Sequence, residues 1–239
     1  MSSTRYAQQI AVDQVGEEGQ QRLTAARVLV IGAGGLGTPV ATTLAAVGIG
    51  TLTLVDGDRI EATNLHRQFH YHPADIGAQK ATTLAARLKG QNPEISIRAI
   101  DQHLDAANAA QLIAEHDVVC DCTDNLEARI LIDRVCGELG KPLVFAAVRE
   151  WEGYLTVLHH AQRFHLREAF DMQAYYADQV LNCAVAGIVP TTCNVLGNLQ
   201  ANEAIKVVLG LPTTLDSGLL CVDLRRMVFR TFVLQRGLR

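Results

Sequence analysis

A chain of 239 residues, 49% apolar and 19% charged, is long enough to bury a substantial core and has the composition of neither a disordered nor a membrane-embedded protein. Its formal net charge of −4 disfavours a broad nucleic-acid surface, which would need clustered Lys and Arg. The six cysteines include no C-x-x-C pair, and MSSTRYAQQI has neither the basic start, the apolar core nor the cleavage site of a secretion signal, so a reducing cytoplasm is the expected setting.

In chain order, residues 5–25 read as one or two short polar helices, expected to lie over the core or against a partner subunit. RVLVIG (27–32) reads as a buried strand, GAGGLG as a turn, 38–47 as a helix ending near Gly48, and TLTLVD (51–56) as the next strand, together a βαβ unit. A helix over 78–89 closed by Gly90, a strand over 94–100, a helix over 105–115, a strand over 117–122 and an amphipathic helix over 125–139 follow. This alternation predicts an α/β fold, Rossmann-like, with a mostly parallel sheet flanked by helices.

Beyond Pro142 the pattern changes. PLVFAAV and GYLTVLHH are strands only a few residues apart, so the second is expected to run antiparallel. Residues 161–182 read as a long loop, functional or mobile. A helix over 191–209 stops at Gly210 and Pro212, and 219–223 with 227–234 form a closing hairpin. The uncharged stretches 28–55 and 183–202 are broken by glycine, proline and asparagine, which favours buried α/β core over membrane spans. One domain is expected over 1–239: an arm (1–25), a nucleotide-binding βα core (26–147) and an antiparallel C-terminal part (148–239).

Gly32, Gly34 and Gly37 form G-x-G-x-x-G between a strand and a helix, with Asp56 ending the next strand. Such glycines let the backbone approach phosphates, the helix N-terminus attracts their charge, and the acid hydrogen-bonds a ribose hydroxyl. Asp56 argues against a ribose phosphate, but the pattern does not separate NAD or FAD from ATP. Further on come Asn64, Arg67 and Gln68 in NLHRQF, then Lys80, then CTDN (122–125). Two cations and an acid converging above the strand ends suit a triphosphate and a metal ion: Arg67 and Lys80 would stabilise charge on the α-phosphate and pyrophosphate, and Asp124 would hold Mg²⁺. Each has a plain alternative. Asp124 or Asn125 could cap the following helix, Lys80 could be a solvated lysine, and Arg67 could pair with Asp58 or Glu61.

Taken together, GAGGLG, LVDGD, NLHRQF, IGAQK and DCTDN, in this order and at these separations, resemble the ThiF/MoeB/HesA adenylyltransferases, bacterial relatives of the ubiquitin-activating enzymes. The resemblance runs from RYAQQI to NEAIKVVLG, most of the chain. It implies ATP-dependent adenylation of the C-terminal glycine of a ubiquitin-like sulfur-carrier protein ending in Gly-Gly, with release of pyrophosphate. It also implies that Asp56 takes the ribose, that Asn64, Arg67 and Lys80 take the phosphates, and that Asp124 takes the magnesium. Gly32, Gly34, Gly35, Gly37, Asp58, Gln68 and Asn125 complete the expected nucleotide site. No catalytic base is needed, because a C-terminal carboxylate with a pKa of about 3.5 is already ionised at neutral pH. Members are similar in forming homodimers whose N-terminal segment reaches the neighbouring site.

Cys183, in NCAVAGIVP, matches a family N-C-x-x-A-G context whose cysteine can join covalently with the carrier during sulfur transfer. The resemblance therefore implies a fourth catalytic residue beside Arg67, Lys80 and Asp124, and points to the thiamine-thiazole branch. On composition alone, an inert buried cysteine is the simpler reading. The chain departs from the family pattern twice. RYAQQI puts Gln8 where members carry an arginine that crosses the dimer, which Arg5, one turn earlier, could replace. Where members carry the first of two zinc-binding C-x-x-C pairs, this chain reads HLRE (165–168) and lacks the second, so zinc held by His165 and Glu168 alone is not expected. Three other readings stay open: activation of the molybdopterin synthase small subunit, adenylation of a peptide, and a nucleotide-binding scaffold with weakened catalysis.

Overall fold

A computed structural model describes residues 4–170 and 187–235. Eight strands form one sheet: β1 (Arg27–Ile31), β2 (Thr51–Val55), β3 (Ser96–Ile100), β4 (Val118–Asp121), β5 (Leu143–Arg149), β6 (Glu152–Leu158), β7 (Gly218–Asp223) and β8 (Val228–Val233). Their spatial order is β3-β2-β1-β4-β5-β6-β7-β8. β1 to β5 pair in parallel, and β6, β7 and β8 are added antiparallel, as the close spacing of β5 and β6 predicts.

The described helices are α1 (Ala7–Ile10), α2 (Gly16–Ala25), α3 (Gly37–Ala46), α4 (Lys80–Gln91), α5 (Ala109–Ala114), α6 (Leu126–Leu139), α7 (Leu166–Ala169) and α8 (Pro190–Leu209). Alternate residues of β1 feed two cores. Val28 and Val30 pack with α3, α4 and α8, whereas Leu29 and Ile31 pack with α5 and α6. The run of apolar residues in the parallel strands follows from this, since both faces are covered. None of the described helices is long and apolar enough to cross a membrane. The uncharged stretch 28–55 is β1, the glycine turn, α3 and β2.

Several boundaries differ from the expectations. Gly90 lies within α4 rather than closing it, because Asn92 stops the helix: this fully buried amide donates to the Tyr6 hydroxyl (2.8 Å) and the Ala45 carbonyl (2.7 Å). The N-terminal segment lies over its own core, where Arg22 on α2 donates to the Leu209 carbonyl at 2.8 Å. The β7–β8 hairpin is held by strand pairing to β6, with Glu152 opposite Asp223 and Leu155 opposite Leu220. Within the stretch read as a long loop, α7 forms a short helix; residues 171–182 of that stretch lie outside the described residues.

Candidate functional site

The strand order reverses between β1 and β4, and in open parallel sheets the crevice at the carboxyl ends beside such a reversal is where ligands bind. A cavity of about 430 Å³ opens there. Its floor is the glycine turn between β1 and α3. Gly32 adopts φ 98°, and a Cβ on it would stand 2.6 Å from the Cys122 carbonyl oxygen, so only glycine fits. The turn delivers the N-terminus of the ten-residue α3 to the cleft, where its unpaired N–H groups favour an anion.

Asp56, just past β2, accepts from the Ala33 N–H (2.6 Å) and the Asp58 N–H (2.8 Å). Burial pushes its carboxyl above the ordinary value, and the two N–H donors oppose this. Lys80, first residue of α4, has a side chain only 8% exposed and places Nζ 2.8 Å from Asp58 Oδ2. It is a buried, paired cation and not a solvated surface lysine. Tyr71 ties these parts together, its hydroxyl 2.8 Å from the Ala33 carbonyl and 3.1 Å from that of Lys80.

Asn64 is buried and turns inward to serve its own loop, with Oδ1 accepting from the Glu61 N–H at 3.1 Å. Arg67 lines the cleft and donates to the Thr63 carbonyl at 3.0 Å, so the pairing with Asp58 or Glu61 is replaced by a backbone tether. Gln68 is 2% exposed, lines the same cleft, and its Oε1 has no hydrogen-bond partner among the described residues. On the far wall, Asn125 caps α6 by accepting from the Ala128 N–H at 2.8 Å. Asp124 beside it stands exposed at the mouth without a hydrogen bond or ion pair among the described residues. The structure therefore gathers Gly32, Gly34, Gly35, Asp56, Asp58, Arg67, Gln68, Lys80, Asp124 and Asn125 around one cavity, with Gly37 opening α3 and Asn64 supporting the Arg67 loop.

Four cleft-lining or underlying residues escape the sequence reading. Arg129 is buried, donates to the Thr123 carbonyl at 2.6 Å and lies over the Phe145 ring at 5.3 Å. Arg149 lines the cavity from the end of β5. Asp121 is fully buried beneath it, accepts from Thr123 N–H (2.9 Å) and Oγ1 (2.7 Å), and leaves Oδ2 without a partner among the described residues; burial pushes this carboxyl up while Arg129 pulls it down. Cys193 on α8 sits so close to the turn that a Cβ on Gly35 would lie 2.8 Å from its Sγ. Burial pushes this thiol up to about 11, against the pull of Arg67. Arg129, four residues after DCTDN, was findable as a charge within an apolar helix face; nothing local marks Cys193. Cys183 lies outside the described residues. Neither Arg5, which reaches Glu94 at 4.0 Å, nor Gln8 lines the cleft of its own chain.

The donors present fit a nucleoside triphosphate and Mg²⁺. Bare backbone at the glycine turn admits phosphates, Lys80 and Arg67 supply positive charge, and Gln68 Oε1 is a buried acceptor still to be satisfied. Asp124 is a hard oxygen donor with no competing partner among the described residues, suited to a cation that keeps several waters and bridges to phosphates.

Fold and cleft define a Rossmann-type α/β protein with a cation-lined site at its switch point. More narrowly, the chain belongs to the ThiF family, whose model matches residues 6–237. It is 38% identical to the sulfur carrier protein adenylyltransferase of Thermus thermophilus, over 98% of this chain and 88% of that protein. It is 39% identical to the adenylyltransferase and sulfurtransferase MOCS3 of Caenorhabditis briggsae over 97% of this chain, but spans only 58% of that longer protein. Among solved structures, E. coli MccB with MccA-N7isoASN superposes with a TM-score of 0.84 at 21% identity, covering 99% of this chain and 73% of that one, a likeness of fold.

Proposed function

We propose that this adenylyltransferase of the ThiF family uses ATP to activate the C-terminal carboxylate of a ubiquitin-like sulfur-carrier protein. The observation that carries the reading is the convergence of Lys80, Arg67 and the glycine turn on one cleft, where attack by a hydroxyl or an amine would call for a general base as well. A carboxylate nucleophile requires none. One of its oxygens bonds to the α-phosphorus, the bond from that phosphorus to the bridging oxygen breaks, and pyrophosphate leaves with the electron pair. In this scheme Asp56 accepts from the ribose hydroxyls, and Arg67 and Lys80 neutralise charge that grows on the α-phosphate and the leaving group. Asp124 would hold Mg²⁺, which supplies charge neutralisation across the phosphates. Positioning and fixed charge carry the rate.

The N-C-x-x-A-G context of Cys183 supports a role in sulfur transfer after adenylation and, with it, the thiamine-thiazole branch. A homodimer in the cytoplasm is part of the same reading. ATP–pyrophosphate exchange tests the proposal. Exchange should appear only when a Gly-Gly-tailed carrier is added, and Arg67→Ala should reduce it by about 10²–10³-fold. ATP binding with no exchange for any carrier or peptide would overturn it. Cys183→Ser should leave exchange intact while lowering sulfur transfer; unchanged sulfur transfer would make that thiol structural.

A further inference from the structure

Away from the cleft, three donor groups meet that the adenylation site does not use. Asp133 lies on α6, His159 follows β6, and His165 precedes α7; their potential ligand atoms all fall within 4.8 Å of one another. His159 Nε2 is 2.8 Å from Asp133 Oδ1, and His165 Nδ1 is 3.5 Å from Asp133 Oδ2. The two imidazoles stand edge to face with centroids 4.6 Å apart. Glu168, the other possible donor in HLRE, is already engaged, accepting from the His165 backbone N–H at 2.8 Å.

We propose that Asp133, His159 and His165 form a binding site for a divalent transition metal of the zinc type. Tetrahedral bonds of about 2.0–2.1 Å place donor atoms about 3.3–3.4 Å apart; His159 Nε2 and His165 Nδ1 approach different oxygens of Asp133, at 2.8 and 3.5 Å, and a metal on either oxygen would draw the two rings to that spacing. Two imidazoles and one carboxylate are a donor set suited to Zn²⁺ or Co²⁺, and three protein ligands leave a fourth position for water. The adjoining groove, about 600 Å³ and lined by Gly137, His165 and Arg167 among others, gives that water access.

Two further observations bear on the site. Gly137 is one turn beyond Asp133 on the same face of α6, and a Cβ there would stand 2.9 Å from His165 Cε1 and 3.0 Å from His159 Cε1. The missing side chain is what lets both rings reach the helix. His159 also holds φ 55°, a left-handed conformation uncommon for a residue with a Cβ, and this turn aims its ring inward, where the side chain is 3% exposed. The Leu166 N–H donates to Asp133 Oδ1 at 3.0 Å and would keep the carboxylate oriented with metal bound. A metal would replace the proton between His159 Nε2 and Asp133 Oδ1, and that proton passes to solvent. Its effect would be to fasten the exit of β6 and the start of α7 to α6.

Titration of the chelator-treated full chain with Co²⁺, followed by its visible d–d absorption, tests this without reference to activity. One equivalent should produce the intense bands of four-coordinate cobalt, and an equivalent of Zn²⁺ should displace them. His165→Ala, at the partly exposed ligand, should lose the bands while the circular dichroism of the fold is retained. His165→Cys should restore them with an added thiolate charge-transfer band. No stoichiometric binding by the unaltered chain, or the same spectrum and stoichiometry in His165→Ala, would overturn the proposal.

Discussion

Lys80 is the residue at which position and charge are most tightly joined: its ammonium is 2.8 Å from Asp58 Oδ2 and its side chain is 8% exposed. A buried cation holding one exposed carboxylate can exchange that partner for a phosphate without new desolvation. Lys80→Ala is expected to reduce carrier-dependent ATP–pyrophosphate exchange by about 10²–10³-fold, and Lys80→Arg should not restore it, because the planar guanidinium cannot occupy the same point. Asp56 predicts a pH dependence. Burial holds its carboxyl above the ordinary value of 3.8, and in the proposed scheme the ionised form is the one that would accept from ribose. Nucleotide affinity should be full well above that raised value and fall as pH drops through it; Asp56→Asn should bind more weakly and lack this acid limb in a binding titration. The residues legible in the sequence were those whose spacing repeats a chemical pattern, such as Gly32, Asp56 and Lys80. Asp121, Arg149 and Cys193 were not, because what brings them to the cleft is the meeting of β4, β5 and α8, which no local spacing encodes.

At the scale of elements, the helix start at α6 was readable because Asn125 carries the cap that its type favours. Asn125→Ala should lower stability by about 1 kcal/mol in denaturant unfolding, through loss of its bond to the Ala128 N–H. Gln200 shows the reverse case. Nothing in the sequence around it marks this side chain, yet it is fully buried and its amide donates to the Asp121 carbonyl (2.8 Å) and the Val144 carbonyl (2.9 Å). It clamps α8 across the ends of β4 and β5, next to the cleft. Gln200→Leu should cost about 1–3 kcal/mol, since two buried carbonyls lose a donor; a change within a few tenths would show that the clamp is dispensable. Gly90 misled for a physical reason. Glycine ends helices where the chain needs a left-handed residue, and here the buried Asn92 amide stops α4 two residues later.

Over the whole molecule, the alternation of strand and helix up to residue 141 was enough to expect a parallel sheet, and the short β5–β6 connection was enough to expect a reversal of direction. The sheet order is what turns those elements into a site. β1 and β4 are neighbours although three helices and two strands separate them in sequence, so the glycine turn and Thr123-Asp124-Asn125 face each other across one crevice. The same packing brings His159 and His165 to Asp133 on α6, away from that crevice. Intact-mass measurement of a Gly-Gly-tailed ubiquitin-like carrier, incubated with the protein, ATP, Mg²⁺ and pyrophosphatase and then acid-quenched, tests for adenylation at the crevice. A carrier heavier by one adenylyl group is expected with the native chain and no such species with Arg67→Ala; an unmodified carrier in the presence of ATP-bound native protein would rule adenylation out.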